Sequence, residues 1–573
     1  MNSILFPRRE WEPAPAPDEG LIGEVVSSLG CSPGLGILLA RRGGKRWRGL
    51  LDPGFPQFHS PFGLSGITTA ISRMREAIAR GERVFIHGDF DVDGLTGAAV
   101  LYRGLVPLFP KETIKVEVGD RRHGHGLSPE FVLRVIDEGF DLVVTVDCGI
   151  SNVDEVAALR EAGIDTIITD HHVPPAQLPP AVAVIDPQLP DDSYPNRNLA
   201  GVGVAYKFLS ALYQQLKKPI PYQLLDLVGL GTIADLVPLS DDGEVENRAL
   251  VREAFNLIAR GEGSSLGLRV LMERLSLNPK KLTASDIGYI IAPKLNAANR
   301  AGDPKVAFLL LTTRVKERAE YLSEVLLDYN RDREVAQTDL IAQAQEEMAK
   351  AGVDPRQDGI IVLSGKYWNK GIIGLAASNL ADRYRVPAVI ISEGDRISRG
   401  SCRSVDGFDM IACLRENSDI LVRYGGHKMA AGFTVKNELL PLLTERLLAC
   451  AARERGKAAP IKEQYDAEIR ADEIDMRFYT NIRSLSPFGP GNPAPLFLLR
   501  DCRFSDLSLV GGQRQHLKGT VSQNGRSIPF IAFRMGRHID KFEQGSGAGL
   551  IFRPGFDDWR GTVQVEAVDL VED

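Results

Sequence analysis

The stretch HGDFDVDG at 87–94 sets carboxylates at alternate positions, Asp89, Asp91 and Asp93, directly after the apolar run VFI at 84–86. Alternating Asp is how an EF-hand calcium loop begins, but the twelfth position counted from Asp89 is Val100, where a bidentate Glu is required. The preceding run also reads as strand where that motif needs a helix. An Asp-rich turn without chemistry is the other plain reading. Further ligand-type residues decide between them: His87, Asp147 in VDCG, His171 and His172 in DHH, and Asp235 in GTIAD. Mixed carboxylates and imidazoles suit manganese, carboxylates with water suit magnesium, and the lack of thiolates argues against structural zinc. Two divalent cations a few ångströms apart repel one another, so they need a shared anionic ligand, and Asp147 is a natural bridge. Taken singly, a strand-end Asp is a helix cap and a His pair a surface pair. Recurrence at successive strand ends is what points to a two-metal site, whose leading use is in-line displacement at phosphorus, the hydrolysis of a phosphate ester or anhydride.

The elements that must position these residues are legible as an alternation. Short apolar runs at 84–86, 114–118, 141–146, 165–169 and 181–185 are separated by helical patterns. This predicts βαβ units and a mostly parallel sheet. HGDFDVDG, DRRHGHG, DCG and DHH each follow one of the first four runs, where open α/β sheets bind ligands. Residues 199–300 read as mainly helical. The absence of Gly and Pro between Lys305 and Ala351 predicts a short helix and then a long one bridging two halves of the molecule. A second α/β unit starts at GIIVL (359–363) and ends near AAGFTV (430–435). SPFGPGNPAP at 486–495 reads as a domain joint or extended connector. Alternating runs beyond it predict a small β-barrel or sandwich.

At 573 residues the chain is too long for one core. Its 44% hydrophobic and 25% charged content is that of an ordinary globular protein. No apolar run approaches a membrane span, and MNSILFPRREWEP lacks the features of a signal peptide, so a cytoplasmic protein is expected. The six cysteines show no CxxC pair and are expected to be reduced thiols. A net charge of −7 argues against a protein that coats nucleic acid by bulk attraction. From Arg500 to Lys541, however, eight basic residues face three acidic ones. A second basic cluster, Arg41, Arg42, Lys45, Arg46 and Arg48, surrounds Trp47. Either cluster can be a nucleic-acid surface or a solvated face.

HGDFDVDG, VDCG, DHH and GTIAD resemble the four metal motifs of the DHH phosphoesterase superfamily. VLSGKYWNKGIIGLAASNLADRY, SRGSCRS and RYGGHKMAAG resemble its companion substrate domain, DHHA1. NLAGVGVAYK, APKLNAANR, PFGPGNPAP and DDWRGTVQVEAVDL are similar to the bacterial branch of single-strand-specific 5′ to 3′ DNA exonucleases, which act in repair and recombination. The resemblance covers nearly the whole chain from about residue 20. It implies an α/β multidomain fold. An N-terminal segment (1–60) would pack on the core, followed by a DHH catalytic domain (61–303), connecting helices (304–352), a DHHA1-like substrate-binding domain (353–460) and an OB-like single-strand-binding domain (461–573). It further implies two divalent ions, Mn²⁺ or Mg²⁺, one held by His87, Asp91 and Asp147, the other by Asp93, Asp147, His171 and Asp235. Asp89 would be a further ligand or a partner to the ligands, and His172 would face the scissile phosphate as electrostatic stabiliser or proton donor. Asn296, Arg300, Arg403 and Ser404 would bind phosphates, and Gly425, Gly426 and His427 would let the backbone approach the strand. Arg121, Arg122 and Trp559 are further candidate DNA contacts. Phe504, Phe530, Phe533, Phe542 and Trp559 are available for base stacking in the last domain. The implied partners are single-stranded DNA with a 5′ end, a helicase and a single-strand-binding protein. The chain departs from the family pattern in Cys148 for a common Asn, Asn299 for Gly, the missing Tyr near His125 and Asn369 for a frequent His; none is a proposed ligand.

Two other readings compete. A relative acting on pyrophosphate, short oligonucleotides or cyclic dinucleotides would leave residues 464–573 without work. A non-catalytic replication scaffold would have no reason to keep so many like charges together, since without metals they repel.

Overall fold

The computed structural model describes residues 9–121, 124–455, 461–512, 514–544, 547–557 and 559–571. Contacts divide the chain into two compact units. The larger comprises Trp11–Pro293, Ala307–Ser323 and Gln464–Asp573, the smaller Met1–Glu10, Lys294–Val306 and Glu324–Glu463.

In the larger unit the predicted apolar runs form one parallel sheet, in the order Ile114–Val118, Val84–Gly88, Leu142–Val146, Asp165–Thr169, Ala183–Ile185. The central strands are buried on both faces, which is why they read as unbroken Val, Ile and Phe and not as alternation. Phe85, Phe131, Phe140 and Ile168 fill one side, with Phe85 edge-on to Phe131 at 5.1 Å and to Phe140 at 4.9 Å. Helix Val92–Leu105, capped by Asp91, packs on the other side against helices Gly201–Gln215 and Leu225–Ala234. Because the strands run parallel in register, Gly88, Val146 and Thr169 end level, and the three acidic segments emerge side by side.

The C-terminal part is a seven-stranded sheet, in the order Ala467–Glu468, Phe497–Leu499, Gly549–Asp557, Thr562–Val571, Arg526–Ala532, His516–Gln523, Arg503–Val510. Its core is completed by the N-terminal segment. Val25, Leu35, Leu38, Leu39 and Trp47, from helices Glu19–Leu29, Pro33–Gly43 and Trp47–Leu51, belong to the same apolar cluster as Phe478, Phe497, Phe530 and Phe552. Two of the basic residues there serve this junction, Arg41 and Arg42, which both pair with Asp466, while Arg48 pairs with Glu24 on the exposed face of the N-terminal helices. The segment expected as a domain joint is docked. Leu239 N–H donates to the Pro490 carbonyl at 2.8 Å, Asn492 donates to the carbonyls of Leu485 and Pro487, and Arg248 to that of Ser484. Gly491, at φ 71°, lies so close to the Ser240 carbonyl that a Cβ would fall 1.9 Å from its oxygen. Pro and Gly there make a tight packed corner, not a flexible hinge.

The smaller unit is a mixed sheet, in the order Leu421–His427, Ala430–Lys436, Ile397–Arg403, Ala388–Glu393, Ile361–Lys366, whose last two strands are parallel and joined by helix Ile373–Tyr384. The run without Gly or Pro forms helices Pro304–Thr312 and Lys316–Lys350, the second continuing from one unit into the other at Ser323/Glu324. Residues from Lys294 to Val306 group with the smaller unit. Arg300 donates to the Gly371 carbonyl at 2.7 Å, and Gly302 packs directly on the Tyr329 ring. None of the six cysteines forms a disulfide among the described residues, and five of them are buried. Among the described residues no single helix is long and apolar enough to cross a membrane.

Candidate metal and phosphate site

Three groups of ligand atoms come together at the strand ends: Asp89, Asp91 and Asp147; Asp93, His171 and Asp235; and Asp147, His171 and His172. Asp147 and His171 link them. His171 Nε2 lies 3.0 Å from Asp147, 3.6 Å from Asp235 and 3.8 Å from Asp93, so one ring nitrogen faces three carboxylates. Burial, then the neighbouring His172 charge, pushes the His171 imidazole down to about 4 and keeps it neutral, the form that coordinates a cation.

The backbone aims these groups. Asp91 caps its helix by accepting the N–H groups of Asp93 (2.9 Å) and Gly94 (3.2 Å). Asp93 in turn accepts N–H groups of Gly201 (2.6 Å) and Val202 (2.9 Å), the first turn of the helix that NLAGVGVAYK opens. Asp147 sits at φ 59°, the left-handed region, while its N–H still continues the sheet to the Thr169 carbonyl at 3.0 Å. An L-residue held there stores strain, which clusters at functional sites. Gly201 meets it closely enough that a Cβ would lie 2.6 Å from that of Asp147.

Burial and mutual repulsion push the Asp93 and Asp147 carboxyls well above the usual carboxylate range, and Asp235 up to about 7, where burial and Asp91 act. A fold that collects such charge without a cation loses stability by it, so the donor set fits divalent metal. His87 supports that fit in a different way. It is 3% exposed, its ring lies 4.5 Å from that of Phe131, and burial pushes its imidazole down to about 4, the neutral form that coordinates a cation. Asp89, given as a further ligand or a partner to the ligands, stands beside Asp91 and Asp147.

His172 is held differently from its neighbour. Burial alone would lower its pKa, but the hydrogen bond and charge of Asp170, 2.8 Å away at Nδ1, push it up to about 9, so the ring carries a proton at neutral pH. Two residues were missed in the sequence. Asp170 braces His172 and accepts N–H groups of Ile150 and His171. His125, from the HGHG end of the second strand, pairs with Asp89 at 3.2 Å and lies 4.7 Å from the His172 ring. The strand-end rule that picked out DHH applied equally to HGHG. Arg121 stacks on Phe90 at 4.8 Å within reach of the Asp89 and Asp91 charges, and Arg122 lies outside the described residues.

The remaining candidates lie in the smaller unit, except Trp559. Asn296 and Arg300 share helix Ala292–Ala301, and Arg300 is tied to the loop before helix Ile373–Tyr384. Arg403 lies by the first turn of that helix, its Nη2 4.0 Å from where a Gly374 Cβ would be. Ser404 is buried, and its hydroxyl donates to the Phe408 carbonyl at 2.8 Å, which makes it a structural bond. Gly425, Gly426 and His427 form the exposed end of an edge strand, with open space above Gly425. Of the aromatics considered for stacking, Phe530 and Phe542 stack in the β-domain core with Phe504 edge-on, while Phe533 and Trp559 are exposed, Trp559 by 89%.

Three family models match the chain: the DHH family N-terminal domain over 83–232, the DHHA1 domain over 357–453 and the RecJ OB domain over 465–569. The chain is 32% identical over 564 residues to the single-stranded-DNA-specific exonuclease RecJ of Bacillus subtilis, covering 97% of this chain and 70% of that one. It is 34% identical over 498 residues to the RecJ of Thermus thermophilus, covering 86% and 69%. Among solved structures, T. thermophilus RecJ in complex with Mn²⁺ superposes with a TM-score of 0.83 at 30% identity, over 99% of this chain and 80% of that one. A second exonuclease RecJ, bound to manganese, matches with a TM-score of 0.59 at 35% identity, over 70% and 98%.

Proposed function

The chain belongs to the RecJ family, and from that premise we propose that it is an exonuclease that degrades single-stranded DNA from a 5′ end, using two divalent cations, Mn²⁺ or Mg²⁺. The observation that carries this reading is the convergence of Asp93, Asp147 and Asp235 around one imidazole nitrogen of His171, in a family with manganese-bound members. When bound, such cations supply Lewis acidity and charge neutralisation at a phosphodiester.

The chain's own residues divide the rest of the work. Asp147 groups with Asp89 and Asp91 on one side and with His171 and His172 on the other, and His171 in turn groups with Asp93 and Asp235. The N–H groups of Gly201 and Val202 hold Asp93 in one orientation. His172 keeps its proton through Asp170, and with Nδ1 engaged, Nε2 is the ring's remaining donor to the departing oxygen. His125 steadies Asp89. Arg300 and Arg403 bind phosphates of the strand, and the exposed Phe533 and Trp559 of the β domain take its bases. An enzyme restricted to single strands needs duplex ends opened for it, so a helicase and a single-strand-binding protein are its working partners in repair and recombination. Six cysteines without a disulfide among the described residues suit the cytoplasm.

The test incubates the protein with a 5′-labelled strand, a 3′-labelled strand and a blunt duplex, in Mn²⁺, Mg²⁺ or EDTA. Mononucleotides released from the 5′ end of single strands only, and only with metal, are expected. Activity surviving EDTA, or equal loss of duplex, overturns the reading.

A further inference from the structure

Tyr367 stands between the end of strand Ile361–Lys366 and the buried Trp368, at φ 64° and 92% exposed. Both sides of it are pinned. The Trp368 indole donates to Gln343 at 3.0 Å, and its carbonyl accepts the Ser392 hydroxyl at 2.6 Å. Gly365 packs so closely on the Trp368 ring that a Cβ would lie 2.3 Å from it. The backbone must therefore turn through the left-handed region at 367, where glycine sits without strain and an aromatic residue does not. Among the described residues the ring makes no aromatic or cation contact and its hydroxyl has no hydrogen-bond partner, and the side chain is almost entirely exposed to water. A residue that costs stability and gains nothing within the chain is explained by what it meets outside it.

Its surroundings indicate what that is. Lys366 and Lys370 flank it, both exposed. Four residues on, the Gly371 carbonyl accepts from Arg300, and Asn369 Oδ1 accepts the Gly371 N–H at 2.8 Å, which orders the loop between Tyr367 and the start of helix Ile373–Tyr384. An exposed ring between cations, on a loop tied to a phosphate-binding arginine, has the composition of a single-strand binding platform.

We propose that Tyr367 is a stacking platform for a nucleobase of the bound single strand, and that its unfavourable backbone is retained for that contact. This rests on the single-strand reading above. The platform discriminates by the presence of a base, not by its identity, because every base offers a π-face.

The experiment measures anisotropy of a labelled oligothymidylate and of the same strand with abasic residues, on wild type, Tyr367→Gly and Tyr367→Phe, with nuclease activity and thermal melting in parallel. Tyr367→Gly is expected to melt higher and to bind the normal strand on the order of tenfold more weakly, while Tyr367→Phe stays near wild type. On the abasic strand wild type and Tyr367→Gly should bind alike. Equal affinity of wild type and Tyr367→Gly for the normal strand, or a difference that persists on the abasic strand, overturns the proposal. Wild type that binds the strand without degrading it overturns the exonuclease reading alone, and wild type that does not bind overturns both.

Discussion

Asp170 accepts a hydrogen bond from Nδ1 of His172 at 2.8 Å with one carboxylate oxygen and the backbone N–H of Ile150 at 3.0 Å with the other. The carboxylate is fully buried, so the imidazole it braces is both oriented and charged. This pair divides the DHH motif by role: Asp170 positions, His171 faces the carboxylates, and His172 carries the proton.

Asp170→Asn removes the charge and keeps the shape. We expect kcat to fall about a hundredfold, with the alkaline limb of its pH profile, set by His172 at about 9, moving to lower pH. Steady-state rates against pH decide this. An unshifted limb would mean that His172 does not supply the proton.

Asp147→Ala is expected to abolish cleavage while retention of single-stranded DNA stays nearly intact. Asp147→Asn is the better-matched variant, because Asn tolerates φ 59° where Ala is strained. A loss of more than about a hundredfold in kcat, with unchanged strand affinity, is the expected pattern for both. Near-normal turnover in Asp147→Asn sinks the shared-ligand assignment.

Without divalent cations, stability should fall as pH rises above about 6.5. Burial and Asp91 hold Asp235 at about 7, while Asp93 and Asp147 lie well above the carboxylate range. His172, despite burial, is held at about 9 by Asp170. Each of these raised groups keeps a proton in the folded state that the unfolded chain has released, so their contribution is lost as pH climbs through the folded values. His87 and His171, lowered to about 4 by burial, act in the opposite sense, but only between about 4 and 6.5. Mn²⁺ should reverse the trend, since its ligands must be deprotonated. Thermal melts near pH 6.5 and pH 9, in EDTA and in Mn²⁺, check both signs, and a Tm that rises with pH in EDTA contradicts the expectation.

Asp466→Ala should destabilise the β domain and its N-terminal helices together. It leaves Arg41 and Arg42 without their shared carboxylate and deprives Leu496 N–H of an acceptor. Stripping one partner from largely buried charges costs roughly 3 kcal/mol. A single cooperative loss in melting or hydrogen exchange across residues 19–51 and 467–571 is expected, and independent melting of the two segments contradicts the shared core.

The sequence by itself determined the parallel sheet, the two connecting helices, the β domain and the acidic and histidine residues at the strand ends. These are local signals: unbroken apolar runs for doubly buried strands, a stretch free of Gly and Pro for a long helix, and ligand residue types immediately after each strand. Only the tertiary structure decided which of these residues meet. It buried His87 against Phe131, brought in His125 and Asp170, tied Ser404 to a carbonyl and grouped Arg300 with the loop at Gly371. It also merged the N-terminal helices with a domain more than 400 residues away, through Arg41, Arg42 and Asp466. Such pairings leave no periodicity in the chain, because they are set by the packing of surfaces that become neighbours only once each element has formed.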